Sequence, residues 1–176
     1  MVIGFTGSQS GMTEFQEQVF SEILHIHNVT ELHHGDCIGS DEIANKIALR
    51  ENITIFTIHP PSNYNRRAFC FDDQQLTKFN HVQTEWKDYD DAKVRWCPVK
   101  PYLERNRNIV DTVEMLIATP KEYHHTLRSG TWATIRYAWQ TKKHVVIIPP
   151  VDRPKEEEES FVQPESIREL DKEKKR

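Results

Sequence analysis

Short apolar runs rich in β-branched residues, separated by stretches that read as helices, limit what this chain can fold into. They are VIGFT at 2–6, ITIFTI at 53–58, MLIAT at 115–119 and VVII at 145–148. Strands without polar alternation are buried on both faces, as happens where helices cover a parallel sheet. A further strand reads from about Val29 to His34.

The intervening segments carry helical stripes. One helix starts at about Thr13, a plausible N-cap, with Phe15, Val19, Phe20, Ile23, Leu24 and Ile26 on its apolar side. A second starts near Ser40 with Ile43, Ala44, Ile47 and Ala48 on one face. A third runs from about Pro101 to Val113, turning Leu103, Ile109 and Val113 to the sheet. A fourth begins near Thr131, with Trp132, Ile135, Ala138 and Trp139 inward. Five strands and about four helices predict one doubly wound α/β layer over residues 1–150. Two segments stand apart. From Asn63 to about Val99 aromatics alternate with charges without a clean period, which reads as an inserted excursion, centred on 66–97, with short helical pieces. Residues 151–176, with the run Glu156 to Glu159, read as a charged, flexible tail.

Several function classes fall away on composition. No apolar run approaches the roughly 20 residues of a membrane span, and no basic stretch followed by a long apolar one opens the chain, so the expected location is the cytoplasm without membrane contact. Cys37, Cys70 and Cys97 form neither a disulfide framework nor a paired-cysteine knuckle and are expected to stay reduced. His33, His34, Cys37 and His59 match no standard ligand spacing, so no metal is expected, and no cofactor. A net charge of −4 offers no general attraction to nucleic acid, and an anionic ligand must be held locally.

Glycine shows where that would occur. About 7% glycine is ordinary, yet this chain has only six, grouped as Gly4, Gly7 and Gly11, then Gly35 and Gly39, then Gly130. Most follow predicted strands or precede a helix, at the strand ends where open α/β sheets bind ligands. Gly4 reads as structural. TGSQSG lacks the spacing of a dinucleotide fingerprint or a P-loop. SGTWAT at 129–134 is the sharpest signal, because small and hydroxyl residues before an apolar helix build an anion-receptive first turn. Simple capping by Ser129 or Thr131 uses the same groups. Arg105 could pair with a phosphate and Asn106 with a sugar, or the ERNR run could be a solvated face. Asp36 and Asp41 could accept from a ribose or act as bases, and Asp41 could simply favour a helix dipole.

GFTGS at 4–8, HHGDCIGSDEIA at 33–44, PYLERNRNIVD at 101–111, MLIATP at 115–120 and LRSGTWATIRYA at 127–138 together resemble the SLOG superfamily. That superfamily includes the YspA/YpsA-type proteins, the LOG phosphoribohydrolases and the DNA-processing protein A family. The resemblance covers most of residues 1–150 outside the excursion. It implies a Rossmann-like three-layer fold with a central parallel sheet of about five strands and a nucleotide-derived ligand over the strand ends. HGDCIGSD stands where many relatives have GGARGAD, Arg105 and Asn106 match an Arg-Asn or Arg-Lys pair, and Ser129, Gly130 and Thr131 fall on the PGGxGT phosphate loop.

The ligand-binding set expected on this basis is Thr6, Gly7 and Ser8; Gly35, Asp36, Gly39, Ser40 and Asp41; Arg105 and Asn106; and Ser129, Gly130 and Thr131. One position departs from the pattern. The hydrolases carry a catalytic glutamate three residues after the threonine, where this chain has Thr134, which cannot serve as acid or base in the glutamate's manner.

A nucleotide-binding module is therefore the leading expectation. Nucleotide N-glycoside hydrolysis through Asp36, Asp41 or Glu104 is the alternative. A further one is single-stranded DNA association through Arg66, Arg67 and Arg107 with Trp96, against which the charge balance argues. Family members often self-associate, which makes a homo-oligomer a further partner, with the aromatic excursion as a contact.

Overall fold

A computed structural model describes residues 1–71 and 86–151; the tail and part of the excursion lie outside the described residues. Its elements are β1 (Val2–Gly7), α1 (Glu14–Ile26), β2 (Glu31–His34), α2 (Ser40–Arg50), β3 (Ile55–Ile58), a 3₁₀ turn (Tyr64–Arg66), β4 (Lys87–Tyr89), β5 (Ala92–Trp96), α3 (Tyr102–Thr112), β6 (Met115–Thr119), α4 (Gly130–Gln140) and β7 (His144–Ile147). The strands form one sheet in the order β4-β5-β3-β2-β1-β6-β7. Among the described strands, only β4 runs antiparallel.

Strand alternation creates the layers. Ile3 and Phe5 of β1 and Ile117 of β6 join Phe20, Leu24, Ile47 and Ala48 of α1 and α2 in the main core. On the opposite face Gly4 meets Ile109 and Val113 of α3, while Leu116 packs with Ile109 and Ala138 and Ala118 with Trp132 and Ile135. Helix pairs thus cover both faces of the central strands, as continuous apolar runs require.

The sheet has seven strands rather than about five. Both additional strands come from the excursion, in which short helical pieces were expected and the 3₁₀ turn is the helical piece among the described residues. Ala92, Val94 and Trp96 are buried while Lys93 is exposed, so β5 does alternate. Five residues of alternation are too short to stand out from the surrounding aromatics. Two residues expected in apolar stripes are exposed, Ile26 (72%) and Leu103 (53%). Ile26 lies about 120° around the helix from Phe20 at 100° per residue. On α3 the sheet-facing positions are taken by Arg105, Asn106, Ile109 and Val110, all buried.

The first turn of α1 ties the sheet together at the carboxyl ends of its strands. Thr13 and Gln16 form a reciprocal capping box, and the buried Gln16 amide also donates to the carbonyls of Pro120 and Ile148, each at 2.9 Å, just past β6 and β7. Gln16→Ala should destabilise the protein by about 2–4 kcal/mol, the cost of two orphaned buried carbonyls and a weakened cap. Urea unfolding measures this, with Gln18→Ala, an exposed position, expected to change stability by less than about 0.5 kcal/mol.

Candidate functional site

Strand order reverses between β1 and β6, and the crevice opens there. Loop 1, after β1, and loop 2, after β2, are fused at this point. The Ser8 carbonyl accepts from the Gly11 amide at 3.2 Å, the Ser40 amide at 3.0 Å and the Ser40 hydroxyl at 2.8 Å. Gly39 adopts φ +100, and a Cβ there would lie 2.3 Å from the Gln9 carbonyl oxygen. Any side chain would part the two loops.

Arg105 comes from the opposite side of the sheet. Its guanidinium lies so close to Gly35 that a Cβ there would stand 1.2 Å from Nη1. Nη2 donates to Cys37 Sγ at 3.1 Å, Nη1 is 3.7 Å from Asp41 Oδ2, and the Tyr102 ring lies beneath at 5.2 Å from Cζ. Asp41 Oδ2 also accepts the Cys37 amide at 3.1 Å. Burial raises the Asp41 carboxyl above the usual carboxylate range, with Arg105 opposing, and pushes the Cys37 thiol up to about 11.

These elements enclose a cavity of about 250 Å³. Of the expected ligand residues, Thr6, Gly7, Ser8 and Asp41 line it, as do Arg105, Asn106, Ser129, Gly130 and Thr131. The other expected residues sit behind the wall. Gly35 and Gly39 admit their neighbours, Ser40 anchors loop 1, and Asp36 is a buried partner of Arg67 at 2.7 Å. Glu104 pairs with Lys100 at 2.8 Å on the outside, its side chain 55% exposed.

Lining residues that the sequence reading missed are Gln9, Cys37, Ile38, Arg66, Tyr102, Lys121 and Glu122. Cys37 and Ile38 lie inside the quoted HGDCIGSD motif, and Tyr102 inside PYLERN, so adjacency to named residues was their available signal. Arg66, in the excursion, was singled out in the sequence only as a DNA contact, and it lines the cavity instead. Of the residues considered for DNA contact, Arg67 and Trp96 are buried, and Arg107 lies over the Tyr137 ring at 5.4 Å.

The α4 N-terminus closes one side. Ser129 is its N-cap, with Oγ accepting from the Trp132 amide at 3.4 Å. Thr134 donates to the Gly130 carbonyl at 3.0 Å and accepts from Asn106 Nδ2 at 2.7 Å. Behind it, Arg136 grips the preceding loop through His125 Nε2 at 2.9 Å and the carbonyls of Thr126 and Leu127 at 3.3 and 3.2 Å.

The histidines form hydrogen-bond chains in the sheet. His33 Nε2 pairs with Glu31 at 2.8 Å and its Nδ1 faces His59 Nε2 at 3.2 Å, while His34 lies between the Asp36 amide and Asn45. Burial lowers all three below the ordinary imidazole range, His59 to about 2.

A comparison with protein-family models and one with curated protein sequences found no match. Solved structures do resemble the chain. A molybdenum cofactor binding protein from the phototrophic bacterium Rippkaea orientalis aligns with a TM-score of 0.56 at 15% identity, over 99% of this chain and 97% of its own. DNA processing protein A from Streptococcus pneumoniae aligns at 0.57 and 18%, over 85% of this chain and 50% of its own. The structural-genomics protein TM1055 aligns at 0.52 and 12%, over 82% and 71%. At such identities the shared property is the fold, and this chain has a Rossmann-like α/β fold.

The neutral imidazoles make stability depend on pH. The unfolded chain binds protons below about pH 6.5 that the folded chain refuses, so stability falls as pH drops through that value. His59, at about 2 in the fold, accounts for a loss of about 2 kcal/mol between pH 7.5 and pH 5. Asp41 acts in the opposite direction, so His59→Gln isolates the imidazole: urea unfolding at both pH values should show a smaller loss in the variant.

Proposed function

We propose that the protein binds a nucleotide or nucleotide-derived small molecule in the cavity beside β1 and β6, with its phosphate at the first turn of α4. One observation carries this reading: the helix N-terminus and a buried arginine converge on the same cavity at the strand-order reversal. Helix N-termini receive anions through free amides and the dipole, and a planar guanidinium adds paired donors. A volume of about 250 Å³ lies just below the roughly 300–1,000 Å³ usual for small-molecule sites. It suits a phosphate and a sugar rather than a dinucleotide. The Rippkaea orientalis neighbour, itself described as a cofactor binding protein, lends support at the level of fold.

Calorimetric titration with the four common nucleoside monophosphates tests the proposal. Saturable binding is expected, weakened about tenfold or more in Arg105→Gln by loss of a charged hydrogen bond. Absence of saturable heat from the wild-type protein at millimolar ligand defeats it.

Asp41 favours a second reading, hydrolysis of a nucleotide N-glycosidic bond. Among Asp36, Asp41 and Glu104 it is the one that lines the cavity, and burial raises its proton affinity, as a general acid requires. Chromatography of incubated monophosphates should then show free base, lost in Asp41→Asn. No base above the buffer control removes hydrolysis and leaves binding standing.

A further inference from the structure

Buried residues Thr6, Asp41, Arg105, Asn106 and Thr131 form the inner part of the cavity, and exposed Gln9, Ile38, Arg66 and Lys121 form its rim. The charges divide the same way. Inside, Arg105 and Asp41 offset each other in net charge, so an inner anion is met by hydrogen-bond donors, those of the Arg105 guanidinium and the α4 amides. At the rim Arg66 and Lys121 stand against Glu122, so the surplus positive charge of the lining lies outside.

Arg66 reaches the rim because a buried ion pair holds the segment that carries it. Asp36, at φ +53, binds Arg67 Nη2 at 2.7 Å and Nε at 2.8 Å. Its other oxygen accepts the Cys70 amide at 2.9 Å. Backbone bonds complete the clamp: Ala68 N–H to the Asp36 carbonyl at 2.7 Å, Ile38 N–H to the Arg66 carbonyl at 2.9 Å, and a bridge between Cys37 and Arg67. A buried pair of this kind gives little net stability compared with apolar packing, whereas it does fix geometry. The geometry fixed here is that of a cation on the cavity rim.

We propose that Arg66 reads a second anionic group, the outer phosphate of a diphosphate-bearing ligand, and that the Asp36–Arg67 pair is the positioning device that places it there. This rests on the binding reading above. A cavity filled by one phosphate and its sugar leaves the rim as the place for a further phosphate, where an exposed guanidinium is the matching donor.

Inorganic phosphate and pyrophosphate are the probes, titrated into the full chain and followed by ¹H–¹⁵N NMR. The Gly130 and Thr131 amides report the inner cavity independently of Arg66. Both ions should shift those amides, pyrophosphate with about tenfold tighter affinity, the effect of one charged hydrogen bond. Arg66→Gln, an exposed substitution, should abolish that advantage while leaving the phosphate midpoint within about twofold. Asp36→Asn should lose the same advantage although it touches no ligand. Equal wild-type affinities for the two ions, or an Arg66→Gln protein that keeps the advantage, overturn the role of Arg66. An Asp36→Asn protein that keeps it overturns the positioning role. If neither ion moves the two amides, the binding reading itself falls.

Discussion

Placement of the Arg105 guanidinium under loop 2 is the constraint around which the carboxyl end of the sheet is organised. A cation taken out of water needs partners, and Cys37, Asp41 and the Tyr102 ring surround it. Each partner belongs to a different part of the chain. Asp41 opens α2, Cys37 lies in the preceding loop, and Tyr102 opens α3. Gly35 follows because no other residue leaves room for the planar group. The side chain that brings a guanidinium to the cavity wall thus also links the two helix layers across the sheet.

Much of this arrangement was legible in the sequence. β6 matches MLIAT over 115–119, and α2 begins at Ser40 as its pattern indicates. The glycines marked the correct loops, and all four make space for a neighbour, Gly7 for Ser40, Gly35 for Arg105, Gly39 for Gln9 and Gly130 for Tyr102, while Gly7 and Gly130 also line the cavity. Sequence spacing cannot tell the glycines that also line the cavity from those that do not, since all four positions demand a missing Cβ. Arg105 itself occurs in a highly charged ERNR run that reads equally as a solvated face, and only its position on the sheet-facing side of α3 decides the matter.

The excursion was the least legible part, for a physical reason. Its role depends on long-range pairing: β5 is held by β3, and Arg67 by Asp36, 31 residues away. Neither interaction leaves a periodic trace. Thr134 shows the opposite case, a departure visible in the sequence whose meaning needed coordinates. Its hydroxyl is occupied by Asn106 and the Gly130 carbonyl, so the position supports the α4 turn instead of presenting an acid.

Arg136, reaching backwards from α4 to hold the loop before it, has a consequence for how a small molecule would be received. The same helix lines the cavity with its first turn and holds the His125–Leu127 end of the loop that carries Lys121 and Glu122. On the other side Asp36 restrains the segment bearing Arg66. Backbone hydrogen bonds thus hold both walls in the fold itself, so a small molecule entering here would have side chains, not chain segments, left to order.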